Sequence, residues 1–107
     1  MKTIEKIKSQ IKNNPIIIYM KGTPEHPSCG FSAQAVKILS SFGTRFAYVD
    51  VLENPDIRTE LPNYANWPTF PQLWISGELI GGCSIIIELF KSGKLKEIIG
   101  SVKENKV

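Results

Sequence analysis

Apolar side chains recur along this chain with two different periods. Ile4, Ile7 and Ile11 fall three and four positions apart, one face of a helix that Thr3 is placed to cap and Asn13-Asn14-Pro15 to end. Ile16-Ile17-Ile18-Tyr19-Met20 is unbroken and rich in β-branched residues, so it predicts a buried strand. Between Lys21 and Pro27, two prolines and a glycine interrupt regular structure. The helical period returns with Phe31, Ala35, Ile38, Leu39 and Phe42, and Gly43 follows where a C-terminal cap belongs. Phe46 to Val51 is strand-like in composition. Asn54-Pro55-Asp56 then reads as an N-cap, a first-turn proline and a first-turn acid, opening a helix from Pro55 to about Tyr64 with Ile57 and Leu61 inward.

The second half is more broken. Trp67-Pro68-Thr69-Phe70-Pro71 carries too much proline for any element. Gln72 to Ile75 and Glu78 to Ile80 flank Ser76-Gly77, a hairpin signal. After Gly81-Gly82, Ser84 is expected to cap a helix carrying Ile85, Ile86, Leu89 and Phe90, which Gly93 stops. Leu95, Ile98, Ile99 and Val102 mark one face of a last helix. Strand, helix and strand in succession favour a parallel pair, and the hairpin adds two antiparallel strands. The expectation is one α/β domain over residues 1–107, a four-stranded mixed sheet flanked by helices in a thioredoxin-like arrangement.

Composition narrows the function classes. Of 107 residues, 42% are hydrophobic and 21% charged, values of an ordinary soluble globular domain. No apolar stretch approaches the ~18 residues that span a bilayer, and the N-terminus lacks an apolar signal core, so a cytoplasmic protein is expected. The net charge of +3 is mild. Its lysines are spread along helix faces and the tail without interleaved aromatics, which argues for solvated surface and against nucleic acid. Two cysteines in a cytosolic chain point to redox or metal chemistry before a structural disulfide.

Candidate chemistry centres on Pro27-Ser28-Cys29-Gly30-Phe31-Ser32. Cys29 stands just beyond a strand and at a helix N-terminus, where unpaired backbone N–H groups and the helix dipole stabilise a thiolate. Lys21 adds a positive charge if its loop folds back. A free cysteine is more often a small core hydrophobe, but the polar, proline-bounded surroundings favour a reactive thiol. Cys83, beside two glycines, reads as a small packing residue, with resolution of an oxidised Cys29 as the open alternative. His26, three positions before Cys29, is either a tuner of the thiol or a solvated loop residue.

Cys29-Gly30-Phe31-Ser32, Trp67-Pro68-Thr69-Phe70-Pro71 and Gly81-Gly82-Cys83 together resemble the monothiol glutaredoxins of the CGFS class, especially their short single-domain bacterial form. The resemblance runs from the first helix to about Gly100. Dithiol members place a second cysteine at the fourth motif position, which resolves a mixed disulfide within the motif. Here it is Ser32, so efficient C-x-x-C cycling is excluded and slow thiol exchange with glutathione is the most that remains. The resemblance implies that Cys29 is the catalytic thiol and also a ligand of a 2Fe-2S cluster bridging a homodimer, two glutathione thiolates completing four. Such a cluster is carried to apo iron–sulfur proteins, and a BolA-like protein is an implied partner. The alternative is a glutathione-dependent thiol–disulfide oxidoreductase that deglutathionylates proteins through Cys29.

The same resemblance assigns a glutathione groove. Lys21 and Arg58 are implied to meet the glycine carboxylate, Arg58 with a bidentate fork. Thr69, Phe70 and a cis Pro71 are implied to present backbone to the cysteinyl part. Gly82, Cys83 and Ser84 open a helix whose N–H groups are implied to take the γ-glutamyl carboxylate. The family usually has Asp where this chain has Ser84, so no carboxylate meets the glutathione amine and weaker binding is expected. Trp67 is expected beside the groove and Trp74 in the core.

Overall fold

The computed structural model describes residues 2–104 of the chain. The elements run α1 (Thr3–Asn13), β1 (Ile16–Met20), α2 (Gly30–Ser41), β2 (Ala47–Asp50), α3 (Pro55–Ala65), β3 (Gln72–Ile75), β4 (Glu78–Gly81), α4 (Cys83–Lys91) and α5 (Lys94–Glu104). The strands form one sheet in the order β2-β1-β3-β4. β1 pairs parallel with β2, and β3 pairs antiparallel with both β1 and β4. This is the mixed sheet expected of the strand–helix–strand unit followed by a hairpin.

Strand geometry explains why β1 is apolar without a break. Successive side chains point to opposite faces, and both faces here are covered. Ile16, Ile18 and Met20 enter a core with Ala35, Val36 and Leu39 of α2, Leu73 and Ile75 of β3, Ile86 of α4, and Leu95 and Ile99 of α5. Ile17 and Tyr19 enter a second core with Ile7 and Ile11 of α1, Val51, Ile57 and Leu61 of α3, and Trp74. Each fully buried Ile or Leu stabilises the fold by ~1.5–3 kcal/mol relative to an exposed one, so these two layers dominate its energetics. The Tyr19 hydroxyl reaches the edge of the second core and donates to Gln10 Oε1 at 2.9 Å; burial, then Tyr64, pushes its pKa well up.

Most expected boundaries fall within a residue or two of those found. The turn Ser76-Gly77 has positive φ at both positions, 51° and 81°, the conformation a two-residue hairpin needs. Two expected caps are corrected. Lys2, not Thr3, is the N-cap of α1, and the Thr3 hydroxyl donates instead to Asp56 Oδ2 at 3.1 Å, tying α1 to α3 beside the Lys6–Asp56 ion pair. Gly82, not Ser84, is the N-cap of α4, because the helix already begins at Cys83 and leaves Ser84 exposed in its first turn. Among the described residues, no helix is long and apolar enough to cross a membrane.

Candidate functional site

The segment between β1 and α2 is fixed by its own backbone before any side chain enters. Gly22 and Pro27 form an isolated antiparallel bridge, the Ser28 N–H donates to the Lys21 carbonyl at 2.9 Å, and Thr23 and His26 exchange backbone bonds across the turn between them. Gly22 sits at φ +91°, and a Cβ there would lie 2.5 Å from the His26 carbonyl oxygen and 2.6 Å from the Ser28 nitrogen. Only glycine fits a backbone folded so closely on itself. Asp50, at the end of β2 and in register with Met20, secures the loop from outside. Its Oδ1 accepts from the Gly22 N–H and from the Leu52 N–H, each at 2.9 Å.

This clip delivers Cys29 to the N-cap of α2, in extended backbone at φ −153° and ψ 140°. Ser32, one turn on and fully buried, accepts the Lys21 N–H on its hydroxyl oxygen at 3.2 Å. Its own proton is then free for the Cys29 sulfur. Partial burial pushes the Cys29 thiol up. The backbone N–H groups of Ser32 and Phe31, the Ser32 hydroxyl and the Lys21 ammonium outweigh it, and the net pKa lies below that of an ordinary thiol. Cys83, in the first turn of α4 and 8% exposed, moves the other way. Burial, then the nearby Cys29 charge, pushes it up, and its thiol donates to Gln34 Oε1 at 3.4 Å. The two sulfurs thus differ in opposite directions: the one at the cavity mouth ionises more readily than an ordinary thiol, and the one in its wall less readily.

The cavity holds about 640 Å³ and gathers every site residue expected from the sequence. Lys21 and Cys29 come from the β1–α2 segment, Arg58 from α3, Thr69, Phe70 and Pro71 from the loop before β3, and Gly82, Cys83 and Ser84 from the start of α4. The Phe70–Pro71 peptide is cis. Gln72, fully buried, anchors the loop: its Nε2 donates to the Trp67 carbonyl at 3.0 Å, and its Oε1 accepts the Trp74 indole N–H at 3.2 Å. Trp67 lines the cavity with its indole N–H buried and unpaired against Gly82, while Trp74 lies in the core. His26 is exposed in its turn and does not line the cavity. Phe31, next to the thiol, is 63% exposed and forms an apolar rim.

Three contributors lay outside the sequence reading. Asp50 had only one visible signal, an acid at a strand end. Gln34 is a helix-surface polar residue until the fold sets it opposite Cys83. Pro62, inside α3, lines the cavity beside Arg58.

A family model described as Glutaredoxin matches residues 16–80. A protein named Glutaredoxin 4 from Buchnera aphidicola subsp. Baizongia pistaciae is 73% identical over 96 residues, which cover 90% of this chain and 89% of that one. Among solved structures, reduced poplar apo GrxS14 superposes with a TM-score of 0.81 at 41% identity, covering 94% of this chain and 92% of that one. A buckwheat glutaredoxin–glutathione complex shares the fold, with a TM-score of 0.82 at 22% identity and coverage of 94% and 89%.

Proposed function

From the premise that this chain belongs to the glutaredoxin family, as a monothiol member of the CGFS type, we propose that its main work is to carry a glutathione-ligated 2Fe-2S cluster to apo-proteins. One observation carries the reading: the cavity offers a single reachable thiol of lowered pKa. The Cys29 thiol is shifted toward its anion, Ser32 fills the position where a resolving cysteine would stand, and Cys83 is buried with its thiol shifted away from ionisation. Among the described residues, no group of three or more His, Cys, Asp or Glu side chains is arranged to hold a metal. A 2Fe-2S cluster typically takes four thiolates, so its remaining ligands come from outside the chain. Two subunits and two glutathione molecules complete the set, and a cargo half-held by a diffusible thiol is one the protein can release.

The cavity suits glutathione as that second ligand. Lys21 and Arg58 supply cations for carboxylate, and the α4 N-terminus, without a side-chain cap, supplies backbone donors. The buckwheat relative, solved as a glutathione complex, supports the assignment by analogy of fold. On the same reading the protein is cytoplasmic, dimerises through the cluster, and passes it to apo iron–sulfur proteins or to a BolA-like partner.

The lowered pKa of Cys29 favours a second, slower activity at the same thiol. The Cys29 thiolate attacks the glutathione sulfur of a protein mixed disulfide, the protein thiolate leaves, and a second glutathione releases oxidised glutathione while restoring Cys29. Anaerobic reconstitution with ferrous iron, sulfide and glutathione tests the main reading. Wild type is expected to gain the visible absorption and circular dichroism of a 2Fe-2S cluster. Cys29→Ser, or omission of glutathione, is expected to abolish both. Wild type that forms no cluster overturns the carrier reading and leaves the thiol exchange.

A further inference from the structure

Apart from the Cys29 sulfur, the charged side chains lining the cavity are all of one sign. Lys21 and Arg58 are cationic, α4 begins in the cavity wall without a side-chain cap on its first-turn N–H groups, and no Asp or Glu lines the cavity among the described residues. Among the described residues, the hydroxyls of Thr69 and Ser84 are the only side-chain oxygens in its wall. Acids on the flanking elements are engaged elsewhere. Asp50 accepts the Gly22 and Leu52 N–H groups, and Asp56 holds the Thr3 hydroxyl and Lys6 Nζ, the latter at 2.7 Å. Glu25 and Glu60, on the β1–α2 loop and α3, do not line the cavity.

Glutathione brings two carboxylates and one ammonium into this setting. Whichever way round the tripeptide lies, its carboxylates meet donors of opposite sign and its ammonium meets no carboxylate. The ammonium gives up water without gaining a carboxylate partner, and apart from the Cys29 sulfur the charges around it are two cations and a helix N-terminus. Resting on the glutathione reading of this cavity, we propose that the site selects anionic cysteinyl peptides as a class and does not read the free α-amino group. Analogues whose amine is absent or acylated are therefore ligands of equal or better standing. Removing the amine raises the ligand's net negative charge from one to two at neutral pH.

The test is calorimetric titration of the reduced full chain with glutathione and, separately, with glutaryl-cysteinyl-glycine, the same backbone without the amine. The analogue is expected to bind as tightly as glutathione or tighter, by up to about tenfold at low ionic strength, with the gap narrowing as salt screens the cations. Glutathione binding more tightly than the analogue overturns the inference while leaving the glutathione reading intact. Failure of both to bind overturns the reading itself, and the inference with it.

Discussion

The Ser32 hydroxyl serves two neighbours at once, accepting the Lys21 N–H at 3.2 Å and facing the Cys29 sulfur with its proton. Removing it leaves a backbone donor without an acceptor and the thiolate with one donor fewer. Ser32→Ala is therefore expected to destabilise the fold by about 1–3 kcal/mol and to raise the Cys29 pKa, read as the midpoint of alkylation rate against pH. In wild type that midpoint falls below the ~8.5 of an unperturbed thiol. The linkage has a definite sign. A thiol whose pKa is lowered by folding contributes stability that is present above the unfolded value and lost as pH falls through the folded one. Urea unfolding of wild type against Cys29→Ser should therefore show a stability difference that grows from pH 6 to pH 9. Ser84 is the other residue on which a substitution is informative. Ser84→Asp puts a carboxylate on the exposed first turn of α4, at the cavity edge, and is expected to tighten glutathione several-fold by calorimetry; an unchanged affinity would show that the amine does not reach there.

The element that sets the site is the clipped segment from Lys21 to Ser28, and Asp50 is its clip. The carboxylate reaches two residues past the end of β1 and holds the backbone from which Lys21 projects. Asp50→Ala orphans the buried Gly22 N–H, at a cost of about 1–3 kcal/mol, and is expected to raise the Cys29 midpoint as Lys21 loses its position. Asp50→Asn keeps an acceptor oxygen and is expected to restore most of both, which separates positioning from charge. Alanine and asparagine variants with equal thiol midpoints would refute the clip. Most elements here were legible because period and punctuation agree: the apolar run of β1, Pro55 at the start of α3, and Ser76-Gly77 between β3 and β4. The clip was not, because it depends on a side chain from β2 meeting a backbone N–H beyond β1. Pairing of that kind follows from sheet order, which local patterning does not encode. Thr3 and Ser84 were misassigned as caps for a related reason: each has a cap's chemistry, but a neighbouring helix or an earlier helix start claims the position.

At the scale of the molecule, two cores on opposite faces of one sheet leave the reactive end at a single mouth, fed by four separate segments of chain. The family resemblance pointed to those segments, and the fold brings them together. The exposed apolar surface beside the thiol is chiefly Phe31, so on the proposed reading a second copy of the chain would bury little there and would depend on what is bound between the two. Size-exclusion chromatography is expected to show a monomer without cluster and a dimer with it. A dimer that persists after the cluster is stripped would contradict this dependence.

The donors that hold the Cys29 anion are largely main-chain, the N–H groups of Phe31 and Ser32 at the start of α2. No single substitution deletes a backbone amide, proline excepted. The reactivity of the thiol is thus inherited with the helix itself and is buffered against drift in the surrounding side chains. Variation is left freer to act on the parts that decide what the thiol meets, namely Arg58 and Ser84 around the cavity and Phe31 at its rim.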